Sequence, residues 1–253
     1  MTYKIFKCDY SLIPWFHKGY IPNSYQTPTG TILINEDLRW EKQVKNKVNG
    51  NIVGADQGFI TCLTLSDGQI TKPNKHHYDL TKINYILSRK RKGSKNFSKA
   101  QEHRKNYINW SINQLNFKNI KQINLEKIYH IGYKKSKSRL MSHWTNTLIQ
   151  KKVINLATEL GVQVNLQDCT YRSQRCSACG LVLKKNRIGK VYSCKHCGYC
   201  DDADLNAAKN HEVILPKLNS LKSLKLNVSG FFWKENGLFD LNGMEFTVPH
   251  TNQ

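Results

Sequence analysis

The spacing of apolar and polar positions changes several times along the chain, and each change marks an element. Residues 51–72 follow a two-residue period. NIVGADQ is a short apolar run ending at Asp56, Gly58 permits a turn, and FITCLTL alternates up to the turn signal Ser66-Asp67-Gly68. QIT opens a third strand, so this stretch predicts a β-meander. From Leu80 to about residue 117 the pattern predicts two helices joined by a basic link, with Tyr107, Trp110 and Leu115 near helical spacing on the core side. Ile120, Ile123 and Leu125 predict a strand over 119–125, with Glu126 at its end. Ser138 to Leu160 predicts a helix whose buried side carries Leu140, Trp144, Leu148, Val153, Leu156 and Leu160, stopped by a left-handed Gly161. Val162, Val164 and Leu166 alternate as a further strand, and a last helix starts at Asp204 with Ala207 and Ala208 in its first turns. The order is β-β-β-α-β-α-β, interrupted by a cysteine-rich stretch before the last helix.

The two ends are less regular. In residues 1–50, aromatics, Pro14, Pro22, Pro28 and Gly30 break any period; short strands are expected at Thr31 to Ile34 and before Val48. Beyond Pro216, Asn236-Gly237 and Asn242-Gly243 are turn signals that predict a small hairpin layer. The chain therefore divides into residues 1–50 of unclear fold, 51–170 as the first part of an α/β core, 171–200 as an inserted ribbon, 201–215 as the last core motif and 216–253 as the tail.

Charge narrows the partners. Lys plus Arg number 39 against 18 Asp plus Glu, a net charge of +21. An AT-rich genome would inflate Lys and Asn, but it would inflate Glu as well, and acids are scarce. A polyanion, most simply nucleic acid, is the implied partner. Much of the charge sits in the basic link, SRKRKGSKNFSKAQEHRK, which carries Arg89, Lys90, Arg91, Lys92, Lys95, Lys99, Arg104 and Lys105. A solvated helical face is the ordinary fate of such a run. The density of one sign points instead to a phosphate-binding surface, to which Arg172 is added. No apolar run of about 18 residues is present, so no membrane span is expected. The opening MTYKIFKCDYSLIPWF lacks the continuous apolar core of a signal peptide. Most of the eight cysteines lie in or near residues 171–200, which fits metal binding in a reducing, cytoplasmic compartment better than a disulfide framework.

Those cysteines form two C-x-x-C pairs, Cys176 with Cys179 and Cys194 with Cys197, each followed by a glycine, Gly180 or Gly198. Four thiolates so spaced suit a closed, tetrahedral, structural zinc site, and the paired glycines disfavour both a disulfide pair and inert buried thiols. Cys200 is a spare thiol that could replace a ligand of the second pair.

Three acids stand at element ends. Asp56 ends a buried strand between Gly54 and Gly58 and fits a turn cap and a ligand equally well. Glu126, taken alone, reads as a surface glutamate. Asp204 reads as an ordinary N-cap that would also hold a carboxylate ionised and fixed. Together the three would repel, and so imply bound cations; hard oxygen donors with open positions suit Mg2+ or Mn2+. Two such ions can activate water and stabilise the leaving oxygen in phosphodiester cleavage.

GADQGFITCLTLSDG resembles the first RuvC motif of the TnpB (OrfB-type) transposon-associated nucleases, a family related to the type V CRISPR effectors. NLEKI resembles the second motif, and the knuckles followed by DADLNAAKN resemble the zinc ribbon and third motif. RKRKGSKNFSKAQEHR resembles the basic helical insertion and SQRCSACG the ribbon entry. The resemblance covers roughly residues 51–212. It implies an α/β, RNase H-like (RuvC) mixed sheet with flanking helices and an inserted zinc ribbon. It further implies metal-dependent DNA cleavage directed by a guide RNA, in a bacterial, phage or mobile-element context. Catalysis falls to Asp56, Glu126 and Asp204; Asp204 is preferred to Asp201 and Asp202 because the family acid lies two residues before the asparagine, here Asn206. The segment ahead of Asp56 is expected to be a short or missing version of the recognition half. Two other functions fit the same features: a non-cleaving nucleic-acid-binding regulator or accessory subunit, and an unguided structure-selective DNA nuclease.

Overall fold

The structure is a computed structural model that describes residues 44–128, 145–218 and 226–246, and the backbone of 24–27 and 30–33. The chain divides into two units, residues 1–43 and 44–253. In the first, β1 (Ser24–Thr27) and β2 (Gly30–Leu33) form an antiparallel hairpin, close to the strand expected at Thr31. The strand expected before Val48 is not found at 44–47, where Lys47 donates one backbone hydrogen bond to the Gly161 carbonyl.

The second unit is built on a four-stranded mixed sheet. Its strands are β3 (Asn51–Asp56), β4 (Thr64–Leu65), β5 (Ile120–Lys127) and β6 (Gln163–Asp168), in the order β4-β3-β5-β6. β4 runs antiparallel to β3, whereas β5 and β6 run parallel to it. The expected meander is reduced: β4 has two residues, and the third strand is a single bridge, Thr64 to Ile70. Residues 57–63 curl without pairing, and at Gly58 a Cβ would lie 2.4 Å from the Thr61 carbonyl oxygen.

Helices supply the crossovers. α1 (Leu80–Ser88) starts at Asp79, whose side chain accepts from the Lys82 N–H at 2.7 Å. α2 (Lys95–Asn113) starts at Ser94, whose hydroxyl accepts from the Phe97 N–H at 3.1 Å. These caps satisfy otherwise orphaned N–H groups and split the basic stretch, leaving only residues 89–94 as the link. α3 (Asn146–Glu159) joins β5 to β6 and ends at Gly161, whose φ of +69° is the expected left-handed stop. Its buried face is Ile149, Val153 and Ala157, with Leu156 partly buried against the core. Leu148 and Leu160 are exposed, because the stripe is offset from the expected one. Leu140 and Trp144 lie outside the described residues, as does the expected start at Ser138.

The two faces of the sheet divide by strand alternation. Val53, Ala55, Ile123 and Leu125 point into the core made with Ile83, Ile108, Ile112, Ile149 and Val153 of the three helices. Gly54, Asp56, Asn124 and Glu126 fall on the other face. α4 (Ala203–Glu212) covers that face. A Cβ on Gly54 would lie 1.9 Å from the Ala208 carbonyl oxygen and 2.4 Å from the Glu212 nitrogen. Helix and strand therefore meet backbone to backbone, an approach only glycine permits.

Between β6 and α4 the ribbon contributes β7 (Leu181–Val182), β8 (Arg187–Ile188), β9 (Val191–Ser193) and β10 (Cys200–Asp202). The tail forms the expected hairpin, β11 (Phe231–Lys234) and β12 (Gly237–Phe239). β11 also pairs with β7, so the tail extends the ribbon, around a core of Val182, Leu215, Phe231, Trp233 and Leu238. Among the described residues no helix is long and apolar enough to cross a membrane. The contact at Gly54 gives a direct test. Gly54→Ala is expected to lower unfolding stability by about 3 kcal/mol, read as a lower urea midpoint, because the added methyl meets backbone that cannot rotate away.

Candidate functional site

The register of the parallel strands builds the first site. Ala55 is opposite Leu125, so Asp56 and Glu126 come next, side by side at the carboxyl ends of β3 and β5. Asp56 is buried and Glu126 half-buried. The Gln57 amide donates to the Glu126 carbonyl at 3.0 Å, which ties the two strand ends together. α4 adds a third group. One ligand atom each from Asp56, Glu126 and His211 lie within 4.8 Å of one another, a grouping able to hold a metal ion.

Electrostatics at this cluster are severe. Burial, then the charges of Glu126 and Asp204, push the Asp56 carboxyl well above the ordinary carboxylate range. Burial pushes Glu126 up to about 7. Burial also pushes the His211 imidazole down to about 3, so it is neutral, and its Nδ1 is buried with no hydrogen-bond partner. Asp204 lies two turns before His211 on α4. Its carboxylate accepts from Arg187 Nη2 at 3.1 Å and from Lys190 Nζ, both from the β8–β9 hairpin. The helix cap is not Asp204, as the spacing suggests, but Asp202, whose Oδ1 accepts from the Asp204 and Leu205 N–H groups at 2.9 and 3.1 Å. Asp204 is thereby left to act through its side chain.

The ribbon holds the second cluster. Cys176, Cys179, Cys194 and Cys197 have sulfurs within 4.8 Å of one another. Cys176 and Cys197 are 3.7 Å apart, and Cys179 and Cys194 are 3.6 Å apart. Both separations are far beyond a disulfide bond. Thiolates about 2.3 Å from a tetrahedral ion lie about 3.8 Å from each other, so the spacing fits a four-thiolate metal site. The knuckles repeat one hydrogen-bond pattern: the Gly180 N–H donates to the Cys176 carbonyl at 2.9 Å and the Gly198 N–H to the Cys194 carbonyl at 3.1 Å. Cys200 is exposed, begins β10 and stands outside the cluster.

α4 is bolted to the ribbon by two asparagines one turn apart. Asn206 donates to the Arg175 carbonyl at 2.9 Å and accepts from the Ser177 N–H at 3.0 Å. Asn210 donates to the carbonyls of Arg172, Arg175 and Asn206 at 3.1, 2.7 and 2.9 Å.

The model of the Cas12f1-like TNB domain matches residues 148–211, which take in most of α3, β6, the ribbon and nearly all of α4. The CRISPR-associated endodeoxyribonuclease Cas12f1 of Sulfoacidibacillus thermotolerans is 41% identical over 85 residues, covering 33% of this chain and 20% of that protein. The putative RNA-guided DNA endonuclease InsQ of Escherichia coli K12 is 27% identical over 208 residues, covering 68% of this chain and 52% of that protein. Over part of its length the chain is therefore similar in sequence to TnpB-like and Cas12f1-like proteins. It spans about half the length of InsQ and a fifth of the Cas12f1 protein. A cryo-EM structure of a Cas12f1–sgRNA–target DNA complex aligns with a TM-score of 0.46 at 20% identity, over 64% of this chain and 49% of that one.

Of the acids that the TnpB resemblance selects, the fold brings Asp56 and Glu126 together directly and sets Asp204 within electrostatic reach of Asp56. Of the seven residues expected to hold nucleic acid, Arg89, Arg91, Lys92 and Lys95 surround the α1–α2 link, and Lys90 lies among them. Arg104 and Arg172 are corrections, for both are buried. Arg104 faces inward from α2, with Nη1 3.4 Å from the Asn84 side-chain carbonyl oxygen. Arg172 donates to the Asp168 carbonyl at 2.9 Å, to that of Val213 at 3.0 Å and to that of Asn210, closing the end of α4. Carbonyls left over at a helix end attract such a cation. Sequence reasoning missed His211, Arg187, Lys190 and the asparagine pair. His211 was within reach, since seven residues after Asp204 is two helical turns on the same face. Asn210→Ala is expected to cost about 3 kcal/mol in urea unfolding, because it removes a buried amide whose NH2 serves three carbonyls and whose oxygen accepts from Arg175.

Proposed function

We propose that this chain carries the RuvC-like, divalent-cation-dependent core of a TnpB-type RNA-guided DNA endonuclease, with Asp56, Glu126 and Asp204 as its acids. The convergence of Asp56 and Glu126 at the carboxyl ends of adjacent parallel strands carries the reading. An antiparallel start and parallel later strands, with the acids at the ends of two central strands, support an RNase H-like core. The relatives' names, endodeoxyribonuclease and RNA-guided DNA endonuclease, support DNA as substrate and RNA as guide.

The residues fit a divalent cation. Asp56 is buried beside two further acids that raise its pKa, and Mg2+ or Mn2+ would supply the positive charge that offsets them. When bound, the ion supplies water activation and charge neutralisation for phosphodiester hydrolysis. β3 and β5 hold two carboxylates on rigid strands, and α4 sets the third. Arg187 and Lys190 balance Asp204 and place two partly exposed cations at the rim of the site. The exposed bases of the α1–α2 link hold phosphate backbone. Zinc in the four-thiolate cluster braces the ribbon that carries Arg187 and Lys190.

The test starts with protein purified from a host expressing the native locus and with sequencing of the RNA it retains. DNA matching that RNA should be cut in Mg2+. Asp56→Ala and Asp204→Ala should bind it normally yet cut at least roughly a hundredfold more slowly. Full-rate cutting by both variants would overturn the assignment, and cutting of branched DNA by RNA-free protein would replace guidance with structure selectivity. Metal analysis checks the ribbon: one zinc per chain is expected, lost in Cys176→Ser and kept in Cys200→Ser.

A further inference from the structure

His211 is not among the acids that the resemblance selects, yet it stands in their midst. It is 1% exposed. Its ring offers a nitrogen within 4.8 Å of a carboxylate oxygen of both Asp56 and Glu126. Its Nδ1 has no hydrogen-bond partner, an expensive condition for a buried polar atom. An ordinary core histidine meets this cost by bonding to a carbonyl or carboxylate. This one is also fixed in place: a Cβ on Gly54 would sit 2.7 Å from the His211 carbonyl carbon, so α4 cannot slide to bring the ring elsewhere. A ring nitrogen and two carboxylate oxygens, all within 4.8 Å of one another, form a group that could hold a metal ion.

We propose that His211 is a direct nitrogen ligand of the cation held by Asp56 and Glu126, making this a mixed imidazole–carboxylate site that favours Mn2+ or Co2+ over Mg2+. The proposal rests on the reading that Asp56 and Glu126 bind a divalent cation. Mg2+ prefers hard oxygen and a near-ideal octahedron, whereas imidazole suits later first-row ions. A nitrogen at this position therefore shifts selectivity without removing the carboxylates on which the chemistry depends. The helix explains how one element serves both metals. Asn206 and Asn210 face the ribbon, while His211 faces the strand ends.

Pulsed EPR of Mn2+ tests this on the full, zinc-loaded, untagged chain, with less than one Mn2+ per protein. The wild type should show nitrogen modulation of the Mn2+ signal, and growth on 15N-histidine should convert it from the 14N to the 15N pattern. That isotope test needs no variant, so it holds even if a substitution disturbs folding. His211→Leu should lose the nitrogen modulation and bind Mn2+ roughly tenfold more weakly, with Mg2+ affinity little changed. Asp56→Asn should lose the site altogether. Mn2+ that binds in an Asp56-dependent way without histidine nitrogen coupling overturns the role of His211 and leaves the cation site standing. Coupling that persists in folded His211→Leu overturns it as well. Mn2+ binding indifferent to Asp56→Asn removes both the ligand assignment and the reading beneath it.

Discussion

The structure depends on the backbone contact between α4 and β3 at Gly54. Helices normally lie about 10 Å above a sheet, separated by two layers of side chains. Here the gap is closed by Gly54 on one side and the backbone of Ala208, His211 and Glu212 on the other, and Ala207 and Ala208 are both fully buried. Long side chains would hold the helix off the sheet and carry Asp204 and His211 away from Asp56 and Glu126. The small residues have little apolar area to bury, so this approach gains little from the hydrophobic effect. Its stability comes from polar bonds at the end of the helix: Asn124 of β5 donates to the Glu212 carbonyl at 3.0 Å, and Arg172 closes the last turn.

A second constraint is electrostatic. The chain carries a net charge of +21, yet its central cluster is a local excess of buried acid. The bulk of the cations is on the surface, screened and distant, and does not relieve it. Arg187 and Lys190 reach in from the ribbon and lower the Asp56 carboxyl, but they rank behind burial and the two neighbouring acids. The protein thus keeps Asp56 short of positive charge while surrounding it with a strongly basic surface. A site for a cation beside a phosphate needs both conditions.

The elements with strong local signals were legible. The two helices expected from Leu80 form, Gly161 stops α3, and the two knuckles with their glycines close a four-sulfur cluster. What local patterns could not supply was which face a charge takes. Arg104 and Arg172 are basic like their neighbours, and only the packing of α2 against Asn84, or of the ribbon entry against the end of α4, buries them. The shortened meander has the same origin, since Gly58 reads as a turn in either case and only the close Thr61 carbonyl shows how tight it is. His211 escaped because a lone histidine on an alanine-rich helix is an ordinary core residue until the strands beneath it are known.

The position of the ribbon in the chain has a physical reason. It sits between β6 and α4, immediately before the helix that completes the acid cluster. α4 has only ten residues, a length at which an isolated helix is marginal in water. Its buried face is alanine, asparagine, aspartate and histidine, so packing alone contributes little. The ribbon supplies what is missing: β10 leads directly into the Asp202 cap, Asn206 and Asn210 are gripped by the backbone of residues 172–177, and Arg187 and Lys190 hold Asp204. An ion held by the four thiolates stabilises the folded ribbon, and through these bonds the helix. The sulfur cluster and the acid cluster are therefore linked through one short helix, and whatever orders the first also sets the geometry of the second.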